Sequence, residues 1–118
     1  MKLVDILKEF ELDVLQRLGG RTFSSRQFSK ITREAEFVSL DFTGAGYFLT
    51  FRHDSLSEQR VVLNDPVVLG RIGEMTVGFV AFIEYRELTL ECHSFGDEVF
   101  PDSFRELDVE VSTQSTTK

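Results

Sequence analysis

The chain has no tryptophan, one cysteine and two prolines in 118 residues. A lone cysteine, Cys92, cannot close an internal disulfide, which excludes a disulfide-stapled scaffold and fits a reducing compartment. Long apolar stretches are also missing. The longest runs from Val77 to Ile83, seven residues with Gly78 inside it, whereas a bilayer-spanning helix needs about 18. No H-x-H, C-x-x-C or H-E-x-x-H spacing is present to build a metal site around His53 or His93. Bases are scarce: thirteen against twenty acids give a net charge of −7. Such a surface repels phosphate, so nucleic acid and membrane are not expected partners. Asp5 lies too close to Met1 for a signal peptide, and a cytoplasmic location is the expectation. What remains is 42% apolar and rich in phenylalanine, with twelve. That excludes a disordered chain and supports a packed core.

Leu3, Ile6, Leu7, Phe10, Val14, Leu15 and Leu18 recur at helical spacing, with Lys2, Lys8, Glu9, Glu11, Asp13, Gln16 and Arg17 opposite them. This predicts an amphipathic helix over 2–18, closed by Gly19-Gly20 in a left-handed cap. Arg21–Arg33 is polar and serine-rich, and either a strand and turn or a short helix near Ser25–Ile31 fits it. Ala35–Phe42 and Tyr47–Arg52 alternate around the turn Thr43-Gly44-Ala45-Gly46 and read as a hairpin. Gln59–Leu63 and Val67–Ile72 read as two short strands parted by Asn64-Asp65-Pro66. Glu74–Tyr85 and Glu87–Phe95 read as long paired strands. The first is apolar on both sides, so it is expected to be central and covered above and below. Phe104–Val111 reads as a last strand, with a frayed Ser/Thr tail over 112–118. The expected fold is α+β: an N-terminal helix on a mainly antiparallel sheet of about six or seven strands, forming one domain over 1–111.

Candidate chemistry is sparse. On a strand, Glu91 and His93 project to one side, a seed for an acid/base or metal site that His53 or Tyr47 would have to complete. Cys92 points the other way with Leu88 and Leu90, so it reads as a core residue and not as half of a Cys–His dyad. Gly44-Ala45-Gly46 lacks the Lys-Ser/Thr of a phosphate loop. No catalytic residue, metal or cofactor is therefore assigned, and the chain reads as a non-enzyme.

Charge is the stronger signal. Arg17, Arg21, Arg26, Lys30 and Arg33 occur without an acid among them, whereas Glu74–Val111 holds ten acids and two bases. The acidic half reads as a face for a basic protein partner, since complementary charge speeds association and selects partners. Its expected contact residues are Glu87, Glu91, Asp97, Glu98 and Asp102, with Phe100 as an apolar anchor.

A small, acidic, single-domain α+β chain with no catalytic constellation resembles bacterial immunity proteins of toxin–immunity systems, including those of contact-dependent growth inhibition. The likeness lies in the layout of the whole chain. Gly46-Tyr47-Phe48-Leu49-Thr50-Phe51 and Glu87-Leu88-Thr89-Leu90-Glu91-Cys92-His93 also look like uncharacterised bacterial proteins. The resemblance implies a cytosolic inhibitor that binds a toxin domain, often a basic nuclease, and blocks its site. The alternative expectation is a small-ligand or metal-binding domain with a pocket near His93 and Glu91.

Overall fold

The computed structural model describes residues 1–96 and 99–114. Two helices, α1 (Glu9–Gly19) and α2 (Ser25–Glu34), precede six strands: β1 (Glu36–Phe42), β2 (Gly46–Arg52), β3 (Val61–Ile72), β4 (Met75–Glu84), β5 (Glu87–Ser94) and β6 (Glu110–Gln114). The strands form one sheet in the order β1-β2-β5-β4-β3-β6, and each neighbouring pair is antiparallel. The α+β expectation holds.

The first helix starts later than the apolar spacing predicts. Leu3–Asp5 forms a short 3₁₀ turn instead. The Leu3 N–H donates to the Ala35 carbonyl at 2.9 Å and the Phe37 N–H to the Met1 carbonyl at 2.8 Å, so the first residues pair with the start of β1. Strand pairing there outweighs helical periodicity. At the other end Gly20 has φ −61°, a right-handed value, and the left-handed cap is not used. The ambiguous segment after it is helical because Ser24 caps it. Its hydroxyl accepts from the Gln27 N–H at 3.1 Å, while the Gln27 side chain accepts from the Ser24 N–H at 2.8 Å.

Both predicted hairpins form. The β1–β2 turn places Gly44 at φ +89°, and the Thr43 N–H donates to the Gly46 carbonyl at 3.0 Å. The β4–β5 turn is tighter and strained: Tyr85 and Arg86 both have positive φ, 55° and 66°. The two short strands expected over 59–72 are one strand, β3, whose pairing with β4 shifts between Leu63 and Val68 where Asn64-Asp65-Pro66 bulges out. The last strand lies further along than expected. Phe104–Glu106 is a 3₁₀ turn that buries Phe104 and Arg105, and β6 uses residues read as tail, pairing Val111 with Gly70 and Ser112 with Leu69.

Tyr47, Leu49 and Phe51 of β2, Leu88, Leu90 and Cys92 of β5, and Val77, Phe79, Ala81 and Ile83 of β4 point to one side and are buried. Val14, Leu15, Leu18, Ile31, Phe100 and Phe104 close over them. The molecule measures 39 × 38 × 22 Å, and its short dimension is that of one helix layer on one sheet. The expectation that β4 is covered on both faces is therefore wrong. Val80 and Phe82, on its second face, stay partly exposed.

Candidate functional site

The uncovered face is built by strand alternation. Each residue next to a core position in β2, β5 and β4 must point away from the helices. The pairing lines these residues up across the sheet. One row runs Glu36, Arg52, Glu87, Glu84; the next Ser39, Thr50, Thr89, Phe82, Val62; the next Asp41, Phe48, Glu91, Val80. A fourth runs Gly46, His93, Gly78, Leu69, Ser112. Apolar and acidic groups thus interleave at the middle of the face, around a Thr50–Thr89 hydroxyl pair at 2.9 Å.

Two cations sit at this face, and each is paired with a carboxylate other than Asp41, Glu87 or Glu91. Arg60 lies 3.5 Å from Glu84 and stacks over the Phe82 ring at 5.3 Å. Arg52 pairs with Asp54 at 3.3 Å. Among the described residues, no ion pair reaches Asp41, Glu87 or Glu91. Val62, half exposed, and Phe95, 59% exposed, extend the apolar surface. Gly78 makes room for Phe95: a Cβ there would stand 2.7 Å from the Phe95 ring and 2.8 Å from His93 Nε2.

The residues expected to form one acidic face separate. Glu87 and Glu91 lie on the open face. Asp97 and Glu98 lie outside the described residues. Phe100 is not an exposed anchor. It is 4% exposed and stacks on Phe104, with ring centroids 4.6 Å apart, because the chain crosses to the helix side after Phe95. Asp102 is exposed between Phe100 and Phe104, on that same helix side. The partners that Glu87 and Glu91 do acquire, Asp41, Phe48, Val80 and Phe82, carried a readable signal. That signal was the small helical content, too little to cover both faces of so wide a sheet, although the two-sided apolar character of Val77–Ile83 pointed the other way.

The ligand-pocket constellation does not assemble. Glu91 and His93 share the open face, but Tyr47 points into the core. His53 is held elsewhere: its Nδ1 accepts from the Ser55 N–H at 3.0 Å, so Nε2–H donates to Glu34 at 2.9 Å. That bond holds the Glu34 carboxyl below its usual range. His93 meets the Phe95 ring edge-on at 5.2 Å, and its Nδ1 is buried without a partner among the described residues. Neither Glu91 nor His93 lines any of five surface concavities. Among the described residues, no group of three or more potential ligands could hold a metal.

A second cluster is fully enclosed. Glu11, 0% exposed, accepts from the Tyr47 hydroxyl at 2.6 Å, from Arg105 Nε at 2.7 Å and Nη2 at 2.8 Å, and from the Lys8 N–H at 2.9 Å. Arg105 also donates to the Ile6 carbonyl at 2.9 Å. Burial, and after it the Glu11 carboxylate, pushes the Tyr47 phenol and the Cys92 thiol above their ordinary values. With its oxygens engaged and no surface, Glu11 fastens α1 to β2 and the Phe104 turn and offers no access to substrate. Cys92, 1% exposed, is a core side chain.

No helix among the described residues is long and apolar enough to cross a membrane. No protein-family model, curated protein or solved structure matches the chain.

Proposed function

We propose that the open sheet face is a docking surface and that this chain is a non-enzymatic binding module for a basic protein partner. The supporting observation is the arrangement on that face: Phe48, Val80 and Phe82 alternate with Asp41, Glu87 and Glu91, and none of these three carboxylates has a cation of its own among the described residues. Aromatic groups beside carboxylates give a partner's lysines and arginines both charge and apolar area to contact. Asp102 lies on the helix side and contributes to the long-range field, which sets association rate more than residence time.

The immunity-like reading gives the partner a class: a toxin domain, such as a basic nuclease, whose working surface is covered when this face docks on it. Inhibition by coverage needs no catalytic group, and a broad sheet face supplies the area that a stable complex requires.

The test is capture of the toxin encoded alongside, at low and moderate salt, with three forms of the chain. The native form should give a stoichiometric complex that weakens with salt. Glu87→Lys with Glu91→Lys should weaken it about thirtyfold or more, the effect of losing about 2 kcal/mol at a hot spot. Asp5→Lys with Glu9→Lys changes net charge equally on the helix side and should leave affinity within about threefold. Equal loss from both pairs would contradict the face assignment.

A further inference from the structure

We propose that the outer edge of β6 joins two copies of this chain, through an antiparallel β6–β6 pairing that makes one continuous sheet. The two edges of the sheet are finished differently. On β1, Met1 and Leu3 hydrogen-bond to Phe37 and Ala35, Lys2 bridges to Glu36, and a register shift between Phe37 and Ser39 interrupts the regular ladder. Such coverings and bulges keep an edge from pairing with another chain. Among the described residues β6 has neither. Glu110–Gln114 runs in unbroken register with β3, from Arg71 to Val67. Its outward N–H and C=O groups form a regular row, and such groups take a partner strand when one is offered.

The residues of β6 suit their own copy. With the two-fold axis at Ser112, Ser112 faces Ser112 of the second copy, Val111 faces its Thr113, and Glu110 faces its Gln114. No like charges meet. Glu110, the one carboxylate of the strand, has Arg71 across from it on β3. Val opposite Thr is a favourable β-branched pair. Arg17, held by Asp13 at 2.8 Å, donates to the Thr113 hydroxyl at 2.7 Å and fixes the strand from the helix side. A ladder this short is a small interface, so the association is reversible and concentration-dependent. It leaves both open faces uncovered, on the same side of the joined sheet, and the pair can engage two partners.

Cysteine cross-linking reads the register directly. Residues opposite each other in an antiparallel pair have Cα atoms about 4.5–5.5 Å apart, within disulfide reach. Ser112→Cys on the axis should therefore oxidise to a covalent dimer. Thr113→Cys places its sulfur-bearing residues about 8 Å apart across the axis and should yield about tenfold less. The native Cys92 is buried and does not compete. Light scattering on the unmodified chain gives a second readout. Its mass should rise with concentration from 13.5 kDa towards twice that value, and Ser112→Lys, which opposes two ammonium groups, should hold it at the monomer. Equal cross-linking at both positions would overturn the proposal. So would a constant monomer mass for the native chain into the high micromolar range.

Discussion

Arg105 is the counter-charge that Glu11 meets in the core, and its removal leaves a carboxylate with no exposed surface and no cation. Arg105→Ala should therefore cost about 3–5 kcal/mol in urea unfolding. Tyr47→Phe keeps the ring packing but loses one hydrogen bond to Glu11, and should cost about 1–2 kcal/mol. The same neighbourhood sets a pH dependence. The Cys92 thiol and the Tyr47 phenol both have folded-state values raised above their ordinary 9.0 and 10.0. The unfolded chain then releases these protons first as pH rises. Their contribution is fully present below the ordinary values and is lost above them. Unfolding free energy should fall from about pH 9 upward, and Cys92→Ala should delay the onset by about one pH unit. A curve flat to pH 11 would contradict this. None of this network was legible from spacing. Glu11 falls on the polar side of the helical pattern, and its partners lie 36 and 94 residues away. Phe100 misled for the same reason, since its stacking on Phe104 is a tertiary contact.

Elements were legible where pattern and pairing agreed. The alternation in Tyr47–Arg52 and in Glu87–Ser94 marked strands that tertiary contacts then reinforced. It failed where pairing competed with periodicity, as at Leu3–Asp5, or where a bulge let one strand continue through Asn64-Asp65-Pro66. β6 could not be read because Glu110–Gln114 carries little apolar signal and forms on the edge that β3 offers. Two substitutions test the turn and pairing arguments. Tyr85 is exposed at φ +55°, where asparagine fits with less strain. Tyr85→Asn should stabilise by about 0.5–1 kcal/mol, seen as a higher thermal midpoint. Gly46 packs so closely on β5 that a Cβ would come within 1.8 Å of the Cys92 carbonyl oxygen. Gly46→Ala should force the β2–β5 ladder apart and lower stability by about 2 kcal/mol or more.

At the scale of the molecule, charge and layering decide what the fold presents. The α+β class followed from one strong helix pattern and a succession of alternating strands. The openness of one face did not, because the double-sided apolar character of Val77–Ile83 suggested cover on both sides. With helices on one side alone, that apolar character becomes surface, and the carboxylates of Asp41, Glu87 and Glu91 lie beside it. Under the proposed function, a basic partner docks there. Oxidative footprinting of the native chain, free and in complex with the captured partner, tests it most directly. Labelling of Phe48 and Phe82 on the open face should drop about fivefold or more on binding, while Phe23 and Phe28 on the helix side stay unchanged. Unchanged labelling at Phe48 and Phe82, with loss at Phe23 or Phe28, would contradict it.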